Sequence, residues 1–301
     1  MVQQSLPAAQ RAGGRVSQTL HGRRFQELFW RGIALVIVLA GAFFVLIPFV
    51  YMLSTSLKSQ VETYASPPIW IPAELMWGNF PDALKMLPFG TFFRNTMFIT
   101  FVSMFGSVAT SSLVAYGFAR LRSRFREPLF VVLLATMMLP GQVTLIPVYI
   151  LFSMIGWINT FYPLIVPAFF GGGAFNIFLL RQFFMTVPLE MDDAAKIDGC
   201  NWFSIYWRLV MPMARPAVAT VAIFHFMGTW NDFFGPLIYL NDVRKYTLAV
   251  GLAFFQYSGM SSGRLDWLMA TSLLVLMPCL ILFFVAQKMF IQGIVITGVK
   301  G

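Results

Sequence analysis

The sequence predicts an all-α fold, a polytopic membrane protein with six transmembrane helices. Three observations carry that prediction. Mean hydropathy is +0.74. Only 11% of the 301 residues are charged and 58% are hydrophobic, whereas a soluble domain carries about 25% charged residues. Six apolar runs, at 33–53, 96–118, 129–154, 162–182, 216–239 and 266–290, each approach or exceed the roughly 20 residues a helix needs to cross hydrocarbon. The runs are continuous rather than alternating, which selects helices over barrel strands.

The amino-terminal segment, 1–32, is polar and holds Arg11, Arg15, Arg23, Arg24 and Arg31. No small-residue cleavage pattern follows the first run, so it reads as a retained helix. An outer segment of about 40 residues comes next, long enough to hold short elements of its own. Its prolines at 67, 68, 72, 81 and 88 break long helices. The interleaved Trp70, Trp77, Phe80 and Phe89 suit short pieces at a membrane surface.

In the second run Ser107, Ser111, Ala115 and Ala119 recur every four residues. That spacing stacks small side chains on one face and lets another helix approach closely, unless it is an accident of a Ser- and Ala-rich stretch. The third run contains "MLPGQVTLIPVY", where Pro140, Gly141 and Pro147 interrupt the hydrogen-bond ladder and predict a kink beside Gln142 and Thr144. "FFGGGAFN" in the fourth has the same character and ends on Asn176. Broken helices of this kind line cavities or pack against protein, and both readings stand.

The fifth run holds His225, Trp230, Asn231 and the interior carboxylate Asp232. Positions 225, 228, 229 and 232 share a helix face. Asp232 falls roughly 24 Å along the helix from the start of the run, near the far rim. An ionisable group there is a functional candidate by default. Solute contact and structural anchoring both remain open for it.

Fifteen of the 21 lysines and arginines fall on the side shared by the two termini, which makes that side cytoplasmic. The net charge of +9 is then the ordinary excess of inner loops and requires no nucleic acid. The domain plan is a cytoplasmic segment 1–32, a membrane domain 33–290 with a charged loop at 183–215, and a cytoplasmic tail 291–301. Cys200 and Cys279 fall in different surroundings and provide neither a disulfide framework nor a metal site.

That loop contains "LEMDDAAKIDG", with Glu190, Asp192, Asp193 and Asp198 close to Lys196. Pro188 can open a helix. The first-turn carboxylates suit the positive end of its dipole. Asp192 and Lys196, four apart, can pair. Gly199 can close the helix in a left-handed cap. Asn201 then caps a second helix that runs until Pro212 stops it. Small Ala194 and Ala195 beside carboxylates give a face that fits a groove in another protein. A solvated loop helix is the plainer alternative.

"EMDDAAKIDG" followed by "WRLVMPMARPA" resembles the cytoplasmic loop of bacterial ABC importer permeases, Glu-Ala-Ala, three residues, Gly, then Leu-Pro. Asp193 stands where that family usually has Glu, and Met211 where it has Leu. "YASPPIWIP", "FRNTMFIT", "AYGFARLRSRFR", "LLRQFFMTVP", "WNDFFGPLIYL", "YTLAVGL" and "GVKG" are similar, in order, to segments of its carbohydrate-uptake branch, the maltose-type and glycerol-phosphate-type permeases. The resemblance implies a coupling helix that docks into a separate ATP-binding subunit through Asp193, Ala194, Ala195, Asp198 and Gly199. Asp193 would face a basic residue of that ATPase, and residues 298–301 would reach towards its dimer. It further implies a second, homologous permease, an extracytoplasmic solute-binding protein, a carbohydrate as cargo, and residence in a bacterial inner membrane. Arg120, Arg122, Arg124 and Arg126 then mark either lipid headgroups and topology or an ATPase contact.

No lysine follows a glycine, so the chain has no phosphate-binding P-loop, and ATP with its Mg would be held by the partner. No cofactor is expected in the chain itself. Gln142, Thr144, Asn176 and His225 offer polar groups to a sugar, Trp230 an aromatic face, and Asp232 a carboxylate. A proton- or ion-coupled carrier acting alone would call for interior carboxylates or repeated halves. A membrane-embedded hydrolase would call for a nucleophile–base pair or a metal cluster. The sequence offers one rim aspartate and none of the other three features.

Overall fold

The structure, a computed structural model, describes residues 13–257 and 263–298. Residues 1–12 of the amino-terminal segment and 299–301 of the tail candidates lie outside the described residues. Among the described residues every regular element is helical. Four helices among these residues are long and apolar enough to cross a membrane, or six where each of two bent pairs counts as one span.

Helix α1 (Gly13–Ser56) carries the first run. Its apolar stretch is open to lipid along most of its length, and only the carboxyl end closes in, where Thr55 and Ser56 are buried together with Leu57 and Lys58 just beyond it. The expected short outer pieces are α2 (Gln60–Thr63) and α3 (Asn79–Met86). A capping box fixes α2: the Ser59 hydroxyl accepts the Glu62 N–H, and the Glu62 carboxylate accepts the Ser59 N–H. Trp70 and Trp77 are exposed beside them.

Helix α4 (Phe89–Arg120) is the spine of the molecule. It buries a row of hydroxyls, Thr96, Thr100, Ser103, Ser107, Ser111 and Ser112. Ser107 Oγ donates to the Gly172 carbonyl at 3.0 Å. A Cβ on Gly172 would lie only 2.4 Å from the Ser107 carbonyl oxygen. At Ser107 the small-residue face therefore closely approaches the glycine turn at 171–173, as its spacing suggested.

The third run divides into α5 (Arg126–Thr136) and α6 (Gly141–Met154), bent by 94°. The predicted kink is present and larger than a proline bend. A proline disfavours helical backbone at the residue before it, and Pro140 itself sits extended at ψ 132°, while Pro147 lies inside α6 without breaking it. The fourth run is α7 (Tyr162–Ile165), a 3₁₀ turn at Val166–Phe169 and α8 (Ala174–Thr186). Between them Gly171, Gly172 and Gly173 take φ of 94°, 64° and 94°, a run of positive φ that favours glycine.

The charged loop folds as α9 (Leu189–Ile197), α10 (Trp202–Ile205), a π turn at Tyr206–Val210 and α11 (Met211–Met213). The helix ends one residue past Pro212, at Met213, and the next helix leaves it at 79°, much as expected. The ladder widens just ahead of Pro212, with the Met211 N–H reaching back to the Tyr206 carbonyl, and the missing proline N–H is absorbed there. The fifth run, expected as one helix to 239, ends with α12 (Arg215–Trp230) and resumes as α13 (Phe234–Tyr239). Asp232 sits in the break: its Oδ1 accepts the Gly235 N–H at 3.0 Å, a local turn of the kind that competes with the helix. Helix α14 (Leu248–Tyr257) is an apolar element the runs did not reveal, and α15 (Leu265–Gly298) is the sixth run.

Two apolar cores result. One lies at the loop end, with Ala115, Tyr116, Leu180, Phe184, Ile205 and Val210. The other lies at the opposite end, with Phe89, Phe92, Phe226, Trp230, Leu248 and Phe255. In the first, the buried Tyr206 and Ser112 hydroxyls bond at 2.8 Å. Tyr206→Phe removes that bond and is expected to cost about 1 kcal/mol. A small drop in the thermal midpoint of the detergent-solubilised protein is the check, and an unchanged midpoint contradicts it.

Candidate functional site

The charged loop owes its shape to its caps. Pro188 precedes α9 with extended backbone, ψ 139°. The carboxyl end is a Schellman motif: the Gly199 N–H bonds the Lys196 carbonyl at 3.0 Å, and the Cys200 N–H bonds the Ala195 carbonyl at 2.9 Å. Gly199 itself takes φ +83°, which a residue with a Cβ adopts only under strain. Asn201 Oδ1 then accepts the Ser204 N–H at 2.8 Å and starts α10.

Of the five contact candidates, Asp193, Ala194, Asp198 and Gly199 are exposed. Ala195 is turned inward and packs against the loop-end core. The expected pairing of Lys196 with Asp192 is not formed. Lys196 Nζ instead donates to Asp193 Oδ1 at 2.8 Å and lies 4.6 Å over the Trp202 ring. The hydrogen bond from Lys196, and then its charge, hold the Asp193 carboxyl below the usual carboxylate range. Asp193 thus stays ionised as pH falls until that lowered value is crossed, so the outward face of α9 keeps its anion at neutral pH. Around it Ile197, Phe203 and Trp207 are also exposed.

Asp192 points the other way. Its side chain is 3% exposed, and its Oδ2 lies 3.6 Å from Arg120 Nε at the end of α4. The i,i+4 expectation failed because residue 192 falls on the buried face of α9, where a cation from another helix waits. The four alternating arginines accordingly do not share one role. Arg120 is buried, Arg126 meets Glu127 at 3.0 Å, and Arg122 and Arg124 are exposed.

The path candidates are brought together only in part. Asn176, His225 and Asp232 line one open groove of about 340 Å³ with Phe175, Phe224, Gly228 and Thr229, the low end of the usual range for ligand pockets. His225 Nε2 lies 3.0 Å from Ser103 Oγ. Asn176 Nδ2 donates to Ser107 Oγ at 3.1 Å and to the Gly172 carbonyl at 2.7 Å. Thr229 and Asp232 also border a smaller pocket with Thr96 and Thr247.

The other three candidates lie elsewhere. Gln142 and Thr144 are exposed on α6, and the Thr144 hydroxyl donates to its own Gly141 carbonyl. Trp230 is 2% exposed. Its indole N–H donates to the Val275 carbonyl at 3.1 Å, and its ring stacks on Phe226. It is a packing residue, since a buried indole is held where its N–H finds a partner. The aromatic faces at the groove are Phe175 and Phe224, 5.9 Å apart. Among 33 phenylalanines only their positions one before Asn176 and one before His225 could have singled them out.

Residues 107–296 match the model of the family described as the binding-protein-dependent transport system inner membrane component. The chain is 33% identical over 260 residues to the melibiose/raffinose/stachyose import permease protein MelC of Bacillus subtilis, covering 85% of this chain and 91% of that one. It is 30% identical over 263 residues to the arabinooligosaccharides transport system permease protein AraQ of Halalkalibacterium halodurans, covering 86% and 93%. Its fold matches a chain in the crystal structure of a bacterial ABC transporter involved in the import of the acidic polysaccharide alginate. The TM-score is 0.74 at 22% identity, over 95% of this chain and 99% of that one.

Proposed function

Because the chain belongs to the family of binding-protein-dependent transport system inner membrane components, we propose that it is one permease of an ATP-driven carbohydrate importer, coupled to a separate ATPase through residues 188–212. The observation that carries the proposal is α9, a solvated helix on an otherwise lipid-adapted chain. Its exposed face presents Asp193, Ala194, Asp198 and Gly199, and a glycine cap sets the bend to the next helix. Such a rigid polar elbow suits a groove in a soluble partner. The chain has no P-loop, so ATP and Mg belong to that partner.

A carbohydrate is the cargo class that relatives such as MelC and AraQ carry in their names. In this reading Asn176, His225 and Asp232 offer hydrogen bonds to sugar hydroxyls, and Phe175 and Phe224 offer apolar faces. A second, homologous permease completes the path, because one docking elbow engages one ATPase subunit. An extracytoplasmic binding protein delivers the solute. The excess of lysine and arginine on the elbow's side supports a cytoplasmic position for that side and both termini, in a bacterial cell.

Mild-detergent purification of the tagged chain from its native membranes tests the proposal. An ATPase subunit and a second permease are expected to come along. A chain that purifies alone and moves solute across vesicles unaided would instead be a carrier, and the proposal fails.

A further inference from the structure

Arg120, the last residue of α4, joins three elements, and its side chain is 1% exposed. Its Nη2 donates to the carbonyls of Phe184 at 2.9 Å and Val187 at 2.8 Å, where α8 ends. Its Nε faces Asp192 Oδ2 on α9 at 3.6 Å. Neither that Nε nor Asp192 Oδ1 makes a hydrogen bond. Two opposite charges buried this far from water cannot part cheaply, because each would be left uncompensated.

The same helices carry the groove. Helix α8 bears Phe175 and Asn176, and α4 bears Ser103, which holds His225, and Ser107, which holds Asn176. One guanidinium therefore ties the elbow to two of the helices that shape the groove.

We propose that Arg120 is a positioning residue, paired with Asp192, that makes α4, α8 and α9 move as one body. A displacement of the elbow is thereby passed into the groove walls. The inference rests on the coupling role proposed above and names the link through which that role acts. Asp193, on the exposed face, meets the partner; Asp192, on the buried face, conveys what the partner does.

The test uses the full complex with its ATPase and second permease in nanodiscs. A reporter thiol at Thr229→Cys is introduced with Cys200→Ser and Cys279→Ala, and its alkylation by a hydrophilic maleimide is timed with and without MgATP plus vanadate. Parallel complexes carry Asp192→Asn, or Arg120→Gln with Asp192→Asn. The double substitution removes both buried charges and so guards against simple misfolding. In both variants the ATPase is expected to stay bound and to hydrolyse ATP, while the nucleotide-dependent change in alkylation rate falls by about tenfold. An unchanged nucleotide response in either variant overturns the proposal. So does loss of the ATPase from the double variant, which would make the pair a requirement for building the elbow only. If no ATPase accompanies even the unsubstituted chain, the coupling role itself fails, which the Asp192 results cannot mimic.

Discussion

Asp193→Lys is expected to abolish ATP-driven uptake while leaving the chain in the membrane. The wild-type carboxylate is 69% exposed and already neutralised by Lys196 at 2.8 Å. In isolation such a surface pair contributes little, so the substitution should not unfold α9. At an interface the balance differs, because a reversed charge is desolvated against a partner arranged to receive an anion. Like-charge juxtaposition of that kind costs several kcal/mol, or about 100-fold or more in complex formation. The new ammonium would also crowd Lys196 one turn on. The checks are uptake of a panel of labelled oligosaccharides by energised vesicles and recovery of the ATPase with the tagged chain. Asp193→Glu, which restores the residue usual in similar permeases, is expected to keep both. If Asp193→Lys takes up sugar as well as the wild type, the elbow is not the docking element.

What the sequence disclosed follows from what is local. Hydropathy is summed along the chain, so all six runs were legible, and glycine and proline marked the breaks at 137–140 and 171–173. The elbow was legible for the same reason: Pro188, Gly199 and Asn201 act on backbone within a turn of themselves. Partners were not legible where they are distant. Asp192 had a plausible cation four residues on, yet it is answered by Arg120 from another helix. Periodicity could have warned of this, since residues 192 and 195 are one turn apart and both face the core. Trp230 misled because an aromatic beside a rim carboxylate looks like a sugar platform, whereas the carbonyl that holds it comes from Val275. The π turn before Pro212 is an adjustment that no local pattern announces.

Gly172→Ala is expected to deplete the folded protein, and Gly173→Ala much less so. Both glycines have positive φ, 64° and 94°, so an added Cβ brings each a backbone penalty of about 1–3 kcal/mol. They differ in what the Cβ meets. At Gly173 nothing lies within 4 Å, whereas at Gly172 the Ser107 carbonyl oxygen lies at 2.4 Å and its Cα at 2.9 Å. Those atoms are helix backbone and cannot swing aside, so α4 and the glycine turn ahead of α8 must move apart. That movement loosens the Ser107 bond to the Gly172 carbonyl and the Asn176 bond to Ser107, each contributing about 1 kcal/mol. Overpacking of this kind adds about 1–3 kcal/mol, so the pair should differ by several kcal/mol against a total stability of only about 5–15 kcal/mol. Membrane yield and the thermal midpoint of the purified protein read the difference. Equal midpoints for the two variants would mean that the helices do not approach as closely as the Ser107–Gly172 contact requires, and that the groove wall built on Asn176 is not held there.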